Sequence, residues 1–173
     1  MKRRSVLIVL LTCVLAATAI AQGDEEKARA FYRMTDAAPE AFNRGEFDKA
    51  RGLADALLIE AELWPKDWNY GNAIHVANLV LGRIELRAGD KEKAIEYLLA
   101  AGRTPGSPQL NSFGPDMLFA KELLKAGEKD AVLEYLELCA KFWKMKDVPL
   151  ETWKAQIEKG ETPDFGPNVR YHF

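Results

Sequence analysis

The stretch LGRIELRAGDKEKAIEYLLAAG, residues 81–102, decides the fold. Gly89 and Asp90 divide two segments whose apolar residues recur at three- and four-residue steps, the spacing of one face of an α-helix. Glycine often ends a helix because it adopts the left-handed backbone conformation without steric cost. An acidic residue at the start of the next helix interacts favourably with the helix dipole. The stretch therefore predicts two helices joined by a tight turn, and Ala94 is small enough to let them pack closely.

The same glycine–acid–alanine break occurs twice more, in RGEFDKA (44–50) and AGEKDA (126–131). Between the breaks, helical periodicity dominates and no strand-length alternation is present. Residues 102–114 contain two prolines and three glycines, which predicts a loop. The helix over 72–88 is apolar on several faces and is therefore expected to be central. Helices are predicted over 23–34 and 37–44 (divided near Pro39), 46–63, 72–88, 90–101, 115–126, 128–145 and 149–159.

At the middle break the chain resembles the tetratricopeptide repeat (TPR) family, in the small and large consensus positions Leu81, Gly82, Gly89, Asp90, Ala94, Leu98 and Ala101. The resemblance covers about residues 30–145. It implies an all-α, right-handed solenoid of about three helical hairpins, and we expect a capping helix and an extended tail to follow. Residues 110–143 and the closing segment PDFGPN also resemble uncharacterised bacterial exported proteins, a likeness that supplies no function.

Residues 1–21 are typical of a secretory signal peptide: a basic start, an apolar run from Val6 to Ala17 and the small-residue pattern Ala19-Ile20-Ala21. The apolar run is shorter than the roughly 20 residues that span a bilayer, which disfavours the alternative of an uncleaved anchor. We therefore expect cleavage before Gln22, no stable membrane insertion afterwards and a periplasmic or secreted location. The expected parts are the signal peptide (1–21), a helical repeat domain (22–148) and a capping helix with tail (149–173).

Removing the signal changes the charge and cysteine content. Three of the 24 basic residues lie in it, so 21 remain against 26 acidic ones and the net charge becomes −5 rather than −2. A protein that neutralises nucleic-acid phosphates normally shows the opposite balance, so we expect no nucleic-acid partner. Only Cys139 remains, which excludes an internal disulfide, and its helical spacing from Leu136 and Trp143 predicts a buried thiol. No cofactor or metal pattern is found.

No catalytic motif accounts for the chain, and no catalytic residue is assigned. Asp164-Phe165-Gly166 copies a kinase triplet, but the other kinase motifs are missing. His75 has no second metal ligand three or four residues on, so a buried, hydrogen-bonded histidine is expected. The sequence favours a non-enzymatic protein-interaction module, such as a periplasmic adaptor or assembly factor. Two alternatives stay open: an exported enzyme or enzyme subunit that uses His75 with nearby carboxylates, and a structural oligomer.

The TPR resemblance also implies a peptide-binding groove lined by the first helix of each hairpin. Cations interleaved with apolar residues there would suit a protein or peptide partner with an acidic segment. The alternative is that these cations are solvated residues near helix C-termini, where the dipole favours them. The residues placed on the groove are Val76, Leu79, Arg83, Leu86, Arg87, Met117, Lys121, Leu124 and Lys125.

Two further segments are candidates for contacts. Trp64, Trp68 and Tyr70 lie in one short loop, where they would either form an interface or seal the joint between hairpins. In the tail, Val169 alternates with Tyr171 and Phe173, which favours a cap over the last helices, because an open solenoid end needs covering.

Overall fold

The computed structural model describes residues 25–145 and 149–169, and its chain divides into two compact units, Met1–Arg33 and Met34–Phe173. The signal-peptide prediction therefore lies outside the described residues, as do Tyr171 and Phe173. In the first unit, residues 25–33 are helical. In the second, the elements are α1 (34–43), α2 (Phe47–Leu63), α3 (Tyr70–Ala88), α4 (Lys91–Gly102), α5 (Pro108–Phe113), α6 (Leu118–Lys125), α7 (Lys129–Cys139), α8 (Leu150–Glu158) and a 3₁₀ turn (Gly166–Val169).

All regular structure in the described ranges is helical, as the periodicity predicted. The three repeated breaks are turns between helices, and Gly45, Gly89 and Gly127 have φ angles of 78°, 88° and 90°. These values lie in the left-handed region that other residues avoid. At the middle break the Asp90 side chain also accepts a hydrogen bond of 3.0 Å from the backbone N–H of Lys93. This bond satisfies one of the donors that a helix start leaves unpaired.

The helix α5 lies inside the predicted loop 102–114, so that prediction is wrong over Pro108–Phe113. The local signal was present but short. Ser107 accepts a hydrogen bond of 3.0 Å from the N–H of Leu110, and Pro108 occupies the first turn, where its missing N–H costs nothing. The burial of Leu110 then anchors this six-residue helix, which is too short to show periodicity.

Three predicted boundaries also move. Pro39 does not divide its helix, because the second unit is helical through 34–43, with Ala38, Ala41 and Phe42 buried. Here tertiary burial outweighs the hydrogen bond that a proline removes. The helix α6 begins at Leu118 rather than at 115, since the tail binds the residues before it. The backbone N–H of Met117 donates a hydrogen bond of 2.7 Å to the Asn168 carbonyl. The helix α7 ends at Cys139, well before 145.

The helices α1, α3 and α6 run in the same direction. The start of α3 contacts the start of α1 through Asn69 and Thr35, which are hydrogen-bonded at 2.9 Å, and Arg83 near its end lies over Phe42. In the same sense, α3 meets α6 near Asp116 at one end and through Arg83 and Glu122 at the other. The helices α1, α3 and α6 therefore form a row of parallel helices.

The helices α4 and α7 also run in the same direction as each other. Lys91 pairs with Glu128 at their N-terminal ends, at 3.0 Å, and Arg103 lies 3.7 Å from Glu134 toward the other end. The short connections at Gly89 and Gly127 join α3 to α4 and α6 to α7. The two helix pairs are thus stacked in the same orientation.

The close approach of these pairs depends on Gly82. A Cβ atom there would lie 2.4 Å from the Phe119 ring and 3.0 Å from Tyr97. Both distances are shorter than real Cβ contacts, so only glycine lets α6 and α4 meet α3 at this level. The apolar core extends from here to α8, whose Leu150, Trp153 and Ile157 are buried.

None of the helices in the described ranges has both the length and the apolar character that crossing a membrane requires.

Candidate functional site

Arg83 joins the row of parallel helices. Its Nε and Nη2 atoms donate to the two carboxylate oxygens of Glu122 on α6, at 2.9 and 2.8 Å. Its guanidinium carbon also lies 4.3 Å from the centre of the Phe42 ring of α1. A two-pronged arginine–carboxylate pair fixes orientation as well as distance, and stacking on an aromatic face adds to it. With the Arg83 side chain only 16% exposed, this residue is a structural link between three helices.

A second charged link crosses the next layer of helices. Glu85 of α3 accepts from Arg51 of α2 at 2.8 Å and lies 3.3 Å from Lys93 of α4. Burial raises the pKa of the Glu85 carboxyl, but the hydrogen bonds and charges of the two cations outweigh it, so the pKa lies below its usual value. The carboxylate is therefore ionised and paired at neutral pH.

Three cations on α3 and α6 have no acidic partner among the described residues. Arg87 is exposed at the end of α3, with its guanidinium carbon 4.4 Å from the centre of the Phe47 ring. Lys121 is half-buried and Lys125 is exposed on α6, and within residues 25–145 and 149–169 none of the three forms an ion pair. We call Arg87, Lys121 and Lys125 the basic face. Its charge is available to a ligand, because the Arg83–Glu122 pair beside it is internally neutralised.

The structure corrects part of the predicted groove. Leu79 and Met117 are buried in the apolar core, at 6% and 0% exposure, so neither lines an open surface. Leu86 and Leu124 are half-buried and pack against that core. Of the predicted apolar lining, Val76 alone is half-buried without belonging to the core cluster. A helix covered on several sides has few positions left for a ligand, and periodicity does not indicate which sides are covered.

His75 belongs to a buried polar cluster, which we define as His75, Asp116, Tyr135 and Cys139. The ring Nδ1 donates to the Ala101 carbonyl at 3.1 Å, and Nε2 accepts from the Asp116 backbone N–H at 3.4 Å. Both ring nitrogens are thus used by backbone groups, which requires the neutral imidazole. The ring is stacked at 6.5 Å on Tyr135, whose hydroxyl donates to the Asp116 carbonyl oxygen at 3.1 Å.

Burial sets the protonation of this cluster. It lowers the pKa of His75 to about 4, against a weaker opposing effect of the hydrogen bond to Ala101. It raises the pKa of the Asp116 carboxyl to about 6, although Asp116 Oδ1 accepts a hydrogen bond of 2.6 Å from the N–H of Leu118. The pKa values of the Tyr135 hydroxyl and the Cys139 thiol are raised for the same reason. The cluster therefore joins α3 to α6 and α7, and the prediction of a buried, hydrogen-bonded His75 and a buried Cys139 is confirmed.

A strongly shifted pKa of His75 would favour the alternative of an enzyme that uses this residue with nearby carboxylates. The shift is present, but its cause is desolvation, and the His75 side chain is 2% exposed with both nitrogens engaged. The Asp116 carboxylate is turned to the start of α6 rather than to the imidazole. In the described ranges, no group of three or more histidine, cysteine, aspartate and glutamate side chains is arranged to hold a metal ion.

The aromatic loop before α3 is only partly covered. Trp64 and Tyr70 are half-buried, whereas Trp68 is 48% exposed. Asn69, the buried residue between them, donates its backbone N–H to the Asp67 side chain at 2.8 Å, and its side-chain amide donates to the Thr35 hydroxyl of α1 at 2.9 Å. The hydrogen bond between Asn69 and Thr35 thus joins this loop to α1.

Sequence reasoning missed the residues that organise this region, namely Phe42, Glu122, Asp116 and Asn168. The Asn168 side chain donates to the carbonyls of Phe113 and Pro115, at 2.9 Å each. Asn168 is 55 and 53 residues away from these two partners, and Glu122 is 39 residues away from Arg83. No local spacing in the sequence indicates pairs so far apart.

The fold and the site define an all-helical protein with a stacked arrangement of helix pairs and a basic face that no ion pair between described residues neutralises. No protein-family model matches the chain, and neither a curated protein nor a solved structure is significantly similar to it.

Proposed function

We propose that the chain is an exported, non-catalytic protein-interaction module, built as a TPR-like solenoid, whose basic face binds an acidic segment of a partner protein. The observation that carries the proposal is the set of three cations on neighbouring parallel helices that form no ion pair in the described part of the chain, Arg87, Lys121 and Lys125. A protein of net charge −5 after signal removal that carries unpaired cations on two neighbouring parallel helices is suited to an acidic ligand there.

The solenoid proposal is supported by the parallel row α1, α3 and α6 and by the parallel pair α4 and α7. In a solenoid the first helices of successive hairpins lie side by side and form one continuous surface. Arg83, linked to both Phe42 and Glu122, keeps that surface together. The tail of residues 159–169 and α8 would then serve as the cap, with Phe165 packed edge-on against Trp153 at 5.0 Å.

The partner is proposed to contribute carboxylates to the cations and apolar side chains to Val76. The alternative explanation, that these cations only complement the helix dipole, fits Arg87 and Lys125, which lie in the last turns of their helices. It does not account for Lys121, which lies before the last turn of α6. Export to the periplasm or the outside of a bacterial cell follows from the signal-peptide pattern and is part of the same proposal.

The test is affinity purification after cross-linking, from the compartment in which the protein is produced. The informative variant is Lys121→Glu/Lys125→Glu, and Lys141→Glu/Lys144→Glu is the matched control, since those lysines are exposed and lie after α7. We expect the first variant to lose its partner about tenfold or more and the control to retain it. Equal recovery by both variants would contradict the proposal, and self-association alone in sedimentation would favour a structural oligomer.

A further inference from the structure

The outer face of α2 carries an apolar ridge that the described chain leaves exposed except at the half-buried Ala56. Gly52, Ala56, Ile59 and Leu63 follow one another at four-, three- and four-residue steps, so they share one side of the helix. The buried residues Ala50, Ala54, Leu57 and Ala61 occupy the opposite side. Ile59 and Leu63 are each 68% exposed, and they are two of the few large apolar side chains with such exposure among the described residues.

An acidic row follows the ridge. Asp48, Asp55 and Glu62 are spaced seven residues apart and all are exposed, and none takes part in an ion pair within the described ranges. The two cations of α2 are already paired with other carboxylates, Lys49 with Glu46 at 2.8 Å and Arg51 with Glu85 at 2.8 Å. The ridge is therefore bordered by negative charge that nothing in the described chain neutralises.

Glu62 is placed where it weakens its own helix. The last turn of α2 contains no basic residue, yet acidic side chains near a helix C-terminus interact unfavourably with the dipole. A solvent-exposed position is free to be lysine or glutamine, so glutamate at this position breaks a local rule without a compensating ion pair or hydrogen bond from any described residue. Such departures concentrate at functional positions.

The acidic charge beside the ridge also indicates which kind of partner would bind there. Two copies of this face packed antiparallel about a two-fold axis would place the acidic rows against each other, because the unpaired charges of α2 beside the ridge are all acidic. An anionic membrane surface is disfavoured for the same reason. A helix with its own apolar stripe bordered by lysine or arginine satisfies both features at once, since it covers the ridge and neutralises the row.

We propose that the outer face of α2 is a second docking surface, which binds a cationic amphipathic helix of a partner protein. Ile59 and Leu63 supply the apolar contact, and Asp55 and Glu62 set the orientation through ion pairs. This surface is separate from the basic face and takes a ligand of opposite charge. The protein would thereby hold an acidic segment and a basic helix at different places.

The experiment uses the chain without its signal segment and a synthetic probe of lysine, leucine and alanine, about 20 residues long, with one apolar stripe bordered by lysines. A peptide of the same composition in scrambled order has the same charge but no stripe. Binding is measured by isothermal calorimetry and mapped by amide chemical-shift changes. The variants are Ile59→Gln/Leu63→Gln and Asp55→Lys/Glu62→Lys, and Glu92→Lys/Glu96→Lys on α4 is the matched control, with the same change in charge on an exposed helix.

We expect saturable binding of the striped probe, about tenfold or more weaker for either α2 variant, within about twofold for the α4 control, and largely lost for the scrambled peptide. Circular dichroism must show that each variant is folded. Equal weakening by the α4 control, or equal binding of the scrambled peptide, would mean non-specific attraction and would overturn the proposal. Dimerisation that Ile59→Gln/Leu63→Gln abolishes would assign the ridge to a second copy instead.

Discussion

Replacing Arg83 with methionine removes the link between three helices while keeping an apolar side chain of similar length. The wild-type guanidinium makes two hydrogen bonds of 2.8 and 2.9 Å to Glu122 and lies over Phe42. After the change the Glu122 carboxylate, which is 33% exposed, is left without its partner. The packing of the side-chain stem is retained, so the variant isolates the charge and its geometry.

The magnitude follows from these contacts. A hydrogen-bonded pair involving charged groups contributes about 1.5–3 kcal/mol when partly buried, and the stacking on Phe42 adds about 0.5–1 kcal/mol. Partial exposure of Glu122 reduces the first figure through solvent screening, so we expect Arg83→Met to cost about 2–3 kcal/mol. For a chain of this size that lowers the melting temperature by roughly 4–12 °C.

The assay is urea unfolding followed by circular dichroism, with a double-mutant cycle using Glu122→Gln. We expect a coupling energy of about 1–2 kcal/mol between the two sites. Arg103→Met is the matched control: its contact with Glu134 is longer, at 3.7 Å, and both side chains are more than half exposed, so its cost should stay within about 0.5 kcal/mol. Equal costs for both arginines, or no coupling to Glu122, would refute the reasoning.

Three other predictions concern the buried polar cluster and the tail. The pKa of His75 is lowered to about 4 in the folded chain, so as the pH falls the unfolded chain takes up this proton before the folded chain does. Stability is therefore lost as the pH falls from 6.5 to 4. Asp116, with its pKa raised to about 6, acts in the opposite sense, because the folded chain binds its proton first and stability is lost as the pH rises from 3.8 to 6. Asp116→Asn should therefore steepen the acid loss in urea titrations between pH 6.5 and 4, and an unchanged slope would contradict the assignment. Cys139 should resist a thiol reagent in the native protein and react fully in urea, since its thiol is buried and its pKa raised; rapid native labelling would show the opposite. Asn168→Ala should cost about 1–3 kcal/mol in thermal unfolding, because two buried carbonyl contacts are lost, and a cost near zero would mean that the tail is not docked.

The sequence allowed the helices and their breaks to be predicted, because glycine conformation, acidic helix starts and apolar periodicity are local properties. Gly89 and Asp90 lie where those rules placed them. Boundaries set by distant contacts were not predictable: α6 starts late because Asn168, about 50 residues further on, holds the segment before it.

The same distinction applies to the candidate site. Spacing placed Arg83 and Lys121 on one surface of the helices, but it did not show that Arg83 is neutralised by Glu122 and stacked on Phe42. Nor did it show that Leu79 and Met117 are covered by neighbouring helices. Whether a side chain is free for a ligand depends on tertiary partners, and periodicity identifies only the side of the helix on which it lies.

Site-specific photo-cross-linking measures most directly whether the basic face binds an acidic segment. A photoreactive residue is placed at Lys125 in one sample and at Lys141 in the other, because both positions are exposed and only the first belongs to the basic face. After irradiation in the producing cells, mass spectrometry identifies the peptides attached. We expect position 125 to capture one partner repeatedly, through a segment rich in aspartate and glutamate. Capture that is equal at position 141, or a captured segment without acidic residues, would contradict the proposed binding mode.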